Sequence, residues 1–166
     1  MNKFLMPALI IVIIVQLLVP ASMIANKYDI LKNGEEFKFQ TRPVDPYDAF
    51  RGRYVWLGVE NSIYYGDGVK YGVINVDEDG FAKIVGTSDT RPADMPYVKS
   101  MDKNRFVLPI ERYYMDEELA PEAERVTGWG SELETYVTVR IKNGNTVISG
   151  LYVDGIEIEK YITEDR

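Results

Sequence analysis

The side chains able to do chemistry fall into separate short stretches of the chain. Asp77 and Asp79 lie in "VDEDG" (Val76 to Gly80), two positions apart and followed by a glycine, like the opening of a calcium loop. A hand-type loop also needs a glycine at its sixth position and a glutamate near its twelfth. Neither register fits, so a plain hairpin turn is the better reading. Glu117 with Glu118, and Glu122 with Glu124, are paired carboxylates of the kind that do acid and base work. Beside Pro121 on a short surface helix they read instead as a solvated face. Ser22 is a candidate nucleophile, and Lys70, Lys83 and Lys99 are candidate bases for it. These lysines all lie in turn-like or solvated patterns, whereas a dyad lysine must be desolvated. The last stretch, "DPYDAFRGRYVWLGVE" (Asp45 to Glu60), sets Arg51 and Arg53 around a single glycine immediately before an aromatic-rich strand.

The chain has no cysteine and no histidine. Disulfides, zinc and haem sites of the usual kind, cysteine nucleophiles and histidine bases are therefore unavailable, and no cofactor is expected. Beyond residue 26 there are 18 Lys plus Arg (Lys3 being the other) against all 26 Asp plus Glu, a formal charge of −8. Such a surface repels phosphate backbones, which argues against nucleic-acid binding. It also argues against the domain lying flat on anionic lipid.

The elements that must position these residues begin with Phe4 to Ile24, "FLMPALIIVIIVQLLVPASMI", which is uncharged and has only Gln16 and Ser22 as polar side chains. At a rise of about 1.5 Å per residue it spans roughly 30 Å, the thickness of a bilayer's hydrocarbon. A cleaved signal peptide is the rival reading, with Lys3 ahead of the apolar run and Val19 and Ala21 as small residues near a cut. The length of the run and the adjacent Pro20 favour an anchor. Residues 1–26 are accordingly read as an anchor and 27–166 as one extracytoplasmic domain. Lys3 before the span balances poorly against Lys27 and Lys32 after it, so orientation rests on the short leader and the large acidic domain that follows.

The domain reads as mainly β, one antiparallel sandwich or small barrel with one short helix. The anchor helix is predicted to run on to about Leu31 and to turn at Asn33 and Gly34. Glu36 to Thr41 alternates Phe37 and Phe39 with Lys38 and Gln40, the period of a half-buried strand. Tyr54 to Val59 is the next strand, with Tyr54 and Trp56 on one face and Val55 and Leu57 on the other. Val69 to Val76 and Phe81 to Thr87 flank an Asp-Gly turn and predict a hairpin. "TRPADMP" (Thr90 to Pro96) is a loop, Phe106 to Ile110 a strand, and Glu117 to Arg125 a helix capped by Asp116. Thr135 to Ile141, Thr146 to Val153 and Ile156 to Ile162, joined by Asn-Gly and Asp-Gly, predict a three-strand meander. The aromatics Tyr47, Tyr54, Trp56, Tyr64, Tyr65, Tyr113, Tyr114 and Trp129 gather near turns and strand ends, where core and cross-strand pairing is their ordinary use.

"PVDPYDAFRGRYVWLGV" (Pro43 to Val59) resembles the defining stretch of the membrane-anchored GDYXXLXY proteins: an acidic turn, an arginine and glycine, then the motif. Gly52, Tyr54 and Leu57 match the motif; its acidic second position is Arg53 here, and its final tyrosine is Val59. "IERYYM" (Ile110 to Met115) and "VISGLYVDG" (Val147 to Gly155) resemble later segments of the same family, so the likeness covers nearly the whole chain in order. The resemblance implies an anchored, exported β domain with no assigned activity, a companion of multi-pass membrane proteins. If the family's acidic residue holds the preceding arginine by paired charge, Arg53 replaces that attraction toward Arg51 with repulsion, and one of the two needs a carboxylate elsewhere, with Asp45, Asp48 and Glu111 as candidates. The expected cluster, structural or partner-binding, comprises Asp45, Asp48, Arg51, Gly52, Arg53, Tyr54, Leu57, Glu111, Arg112 and Tyr113. A second likeness points to an enzyme: Ser22 and Met23 at the membrane exit resemble the serine and methionine of membrane-bound signal peptidases, and "RGRYVWL" resembles the strand that follows there. It implies a serine and lysine hydrolase, but Ser22 falls inside the span.

Overall fold

The computed structural model describes residues 5–42, 54–59, 62–65, 69–102, 105–128, 131 and 133–164. A single helix, α1 (Leu5–Asn33), leads into twelve strands and two short helices. The strands are β1 (Glu35–Arg42), β2 (Tyr54–Trp56), β3 (Gly58–Val59), β4 (Ile63–Tyr65), β5 (Tyr71–Val76), β6 (Ala82–Ser88), β7 (Tyr97–Lys99), β8 (Arg105–Val107), β9 (Arg112–Tyr114), β10 (Thr135–Lys142), β11 (Asn145–Val153) and β12 (Ile156–Glu157). The short helices are α2 (Ala120–Thr127), between β9 and β10, and α3 (Ile158–Glu164), after β12.

The strands form a five-stranded sheet in the order β12-β11-β10-β1-β3, a three-stranded sheet β6-β5-β7, and the pairs β2-β9 and β4-β8. Among the described residues every ladder between these strands is antiparallel, with one isolated parallel bridge from Lys38 to Phe81, and no sheet closes into a barrel. The mainly β domain expected from alternation is thus present. Phe37 and Phe39 of β1 face inward opposite Val139 and Val137 of β10. With Ile74, Ile84, Val98, Phe106, Leu151 and Val153 they belong to one hydrophobic core drawn from all of the sheets except the edge strand β12.

Turn chemistry explains the best-predicted parts. Asn143 and Gly144 both take positive φ, as do Asp154 and Gly155, the backbone that a two-residue type I′ hairpin requires. Asp77 accepts the amide of Phe81 at 2.8 Å and so closes the β5-β6 turn. Between β10 and β11 the register shifts at Thr138 and Val139, which leaves Ser149 as the bulged residue, its hydroxyl 3.0 Å from that of Thr138.

Three expectations are corrected. The strand expected from Ile156 to Ile162 stops at Glu157, and the chain turns helical. Ile158 and Ile162, four apart, are both buried on α3 and pack on β11, so helical spacing prevails over an alternation that the same isoleucines satisfy. The strand expected from Tyr54 to Val59 breaks at Leu57 into β2 and β3, which pair with different partners. The helix expected from Glu117 begins at Ala120, with Pro121 in its first turn, where the missing N–H costs nothing. Asp116 instead accepts the amide of Glu118, ordering the turn ahead of the helix. Strand β7, which pairs with β5, has no counterpart in the expected elements because only Val98 in it is buried.

Helix α1 does not stop where the apolar run ends. It continues through Pro20 to Asn33, and Ile30 near its end is 2% exposed, held under the β10-β11 hairpin. Polar contacts flank that apolar seat. Lys142 meets Asp29 at 2.7 Å, the Lys27 ammonium donates to the Thr146 carbonyl at 3.1 Å, and Arg140 bridges the Gly34 carbonyl and Glu36. Gly34 makes the turn from helix to strand. A Cβ there would lie 2.5 Å from the carbonyl oxygen of Ile30 and 3.1 Å from the amide nitrogen of Ile141.

Candidate functional site

The motif strand is a seam. Val55, Leu57 and Val59 point inward and are buried, the face that alternation predicts. On one side of the break β3 pairs with the end of β1, Thr41 opposite Val59 and Arg42 opposite Gly58. On the other, β2 pairs with β9, setting Tyr54 opposite Tyr114, Val55 opposite Tyr113 and Trp56 opposite Arg112. At the break itself the amide of Leu57 donates to the carbonyl of Glu111 at 2.8 Å.

Two helices close over this seam. Helix α2 packs against β2 and against α3, burying Ala120, Ala123 and Val126 on one face. Tyr113 on β9 donates its hydroxyl to Oε1 of Glu159 on α3 at 2.7 Å. The other carboxylate oxygen, Oε2, is buried and has no hydrogen-bond partner among the described residues. Burial of Tyr113, followed by the hydrogen bond to Glu159 and that carboxylate's negative charge, pushes the phenol's pKa well above the usual tyrosine range. The phenol is therefore a fixed donor at any physiological pH.

Of the expected cluster, the structure brings Tyr54 and Leu57 against Glu111, Arg112 and Tyr113 through backbone pairing. Asp45, Asp48, Arg51, Gly52 and Arg53 lie outside the described residues, as do Tyr47 and Trp129. Glu159 escaped sequence reasoning because it lies 46 positions from Tyr113. A carboxylate in a stretch whose alternation predicts a strand carries no signal of a helical contact.

The other candidates sit in ordinary structural roles. Asp77 holds the β5-β6 turn and pairs with Lys83 at 2.8 Å; that ammonium, then the Phe81 amide, draws its carboxyl below the usual range. Glu122 pairs with Arg125 one turn on, and partial burial raises the Glu124 carboxyl. The hydroxyl of Ser22 donates back to the Val19 carbonyl within α1 at 2.7 Å. Lys99 reaches Asn145. Tyr64 donates to the Ile84 carbonyl and meets Phe106 edge-on, a core role.

Fold and site together define a mainly β domain continuous with a helix that is long and apolar enough to cross a membrane. The chain belongs to the GDYXXLXY protein family, whose model matches residues 16–151. That match takes in the second half of the apolar segment, the motif strand and β9, and ends within β11, ahead of α3. No curated protein and no solved structure matches the chain.

Proposed function

We propose that this protein is a noncatalytic accessory module, held at the outer face of a membrane by α1 and acting by binding a multi-pass membrane protein. The observation that carries this reading is the junction. Helix α1 runs unbroken from a membrane-length apolar segment to a buried seat for Ile30 beneath the β10-β11 hairpin. Contacts from the β10-β11 hairpin to Asp29, Lys27 and Gly34 fix it there. A flexible tether would need none of this; a domain that must meet a membrane partner at a set height and angle does. In this proposal the contact surface is the end of the sheet where β2 and β9 pair, and the sequence candidates Asp45, Asp48, Arg51 and Arg53, which lie outside the described residues, contribute to binding together with Glu111.

The test is photo-crosslinking in intact cells from a benzophenone amino acid at Arg53 or Tyr114, followed by mass spectrometry of the membrane fraction. Recovery of one reproducible multi-pass protein supports the proposal; recovery of no membrane protein from either position counts against it. Orientation is read separately. The chain has no cysteine, so a single Asp79→Cys variant must react with an impermeant maleimide on intact cells if the domain faces outward.

A further inference from the structure

Where α1 leaves the apolar segment and meets β11 there is a groove of about 370 Å³, lined by Met23, Ile24, Lys27, Tyr28, Leu31 and Val147. Its walls are almost wholly apolar, and its lining is open to the surroundings: Ile24 is 70% exposed and Leu31 42%. We propose that this groove binds a phospholipid of the surrounding leaflet, with an acyl chain against Met23, Ile24, Leu31 and Val147 and the headgroup at Lys27 and Tyr28.

The occupant follows from the level at which the groove lies. Phe4 to Ile24 fills roughly 30 Å of hydrocarbon, which puts Met23 and Ile24 at its edge. From Ile24 to Leu31 the helix rises about 10 Å, across the headgroup layer. The groove is thus continuous with the lipid-facing surface of α1, and two of its lining residues belong to that surface. Val147 is at the same level because Lys27 donates to the carbonyl of its neighbour Thr146. That contact takes one of the ammonium's three donors, and the others are left for phosphate or ester oxygens. Tyr28, an exposed ring one position on, is suited to the water–lipid boundary. A sheet strand is therefore held against the leaflet beside the helix, in an otherwise acidic domain that has no reason to lie on anionic lipid.

The inference rests on the anchor reading, and its test separates the two. The full chain is placed in nanodiscs of phosphatidylcholine that contain a fraction carrying a diazirine near the carboxyl end of one acyl chain. It is then illuminated, and the adducts are mapped by mass spectrometry. Adducts at Val147 and Leu31, in addition to those on the apolar helix, are expected. In Val147→Glu, the Leu31 adducts fall roughly ten-fold, the order set by removing a valine-sized apolar contact. Leu31→Glu, with the reciprocal loss at Val147, serves as a second variant, and unchanged melting of either shows that the fold is intact. Labelling confined to residues up to Ile24 overturns the proposal while leaving the anchor standing. Absence of label from the whole apolar segment, Phe4 to Ile24, as well overturns both. A benzophenone at Val147 that captures a protein chain in cells, whether another membrane protein or a second copy, assigns the groove to that occupant and also overturns the proposal.

Discussion

Tyr113→Phe removes one hydroxyl and nothing else from the contact between β9 and α3. The ring stays, so packing against the core is kept, and the lost element is the 2.7 Å hydrogen bond to Glu159. A hydrogen bond to a charged group is worth about 1.5–3 kcal/mol. The upper part of that range applies here, because the other oxygen of the same carboxylate is already buried without a hydrogen-bond partner among the described residues. A cost of about 2.5 kcal/mol lowers the midpoint of thermal unfolding by roughly 5–10 °C for a chain of this size. The assay is thermal unfolding of the full chain in detergent, followed by near-ultraviolet circular dichroism, for wild type, Tyr113→Phe, Glu159→Leu and the double variant. Once Glu159 is leucine the phenol has lost its acceptor. Adding Tyr113→Phe should then cost no more than about 0.5 kcal/mol, giving a coupling of about 2 kcal/mol or more. A Tyr113→Phe midpoint within about 1 °C of wild type refutes the reasoning, and so does an equal loss in both backgrounds.

The same pair predicts a pH dependence. The native state holds the Tyr113 proton more tightly than the unfolded chain does, so its contribution is full below about pH 10. It is lost as pH rises toward the raised native value, and denaturant melts of Tyr113→Phe should show a shallower alkaline decline. Asp77 has the opposite sign: its carboxyl is drawn down by Lys83 and the Phe81 amide, so its stabilisation is present above about pH 4 and lost on acidification. Asp77→Asn should flatten the acid limb of stability against pH. Gly72→Ala places a Cβ 2.3 Å from the Phe106 ring, and a urea titration should show about 1–3 kcal/mol of destabilisation. Ile30→Ala, at the seat of α1, should cost about 2–5 kcal/mol in the same titration.

The hairpins were legible because their signals are local. Asn143-Gly144 and Asp154-Gly155 force a backbone that few other residues tolerate, and Phe37 and Phe39 declare an inward face by alternation alone. Illegibility has a physical pattern too. Ile156, Ile158 and Ile162 satisfy a period of two, while Ile158 and Ile162 also satisfy a helical turn; only the presence of β11 to pack against decides between them. The seating of Ile30 under β10 and β11 joins segments more than 100 positions apart, and the Tyr113 to Glu159 bond spans 46. Contacts of that reach leave no mark in a window of ten residues.

What the motif does for the fold can be argued from Leu57. The strand that contains it is continuous by composition, yet it changes partners at this residue. Val59 serves the five-stranded sheet through β1, and Val55 serves the separate pair with β9. A chain that switches sheets within one strand leaves an amide without a ladder partner at the switch, and an unpaired buried amide costs about 1–3 kcal/mol. Here the Glu111 carbonyl takes it, while the Leu57 side chain is buried in the core at the same point. The leucine that matches the family's motif thus sits where main sheet, "ERY" strand and helical cover meet. This gives the motif an architectural reason for its spacing: the residues before Leu57 must reach β9, and those after it must reach β1. Any partner that grips the β2-β9 end would pull on this seam directly, and through β1 on the turn at Gly34 that ties the domain to α1.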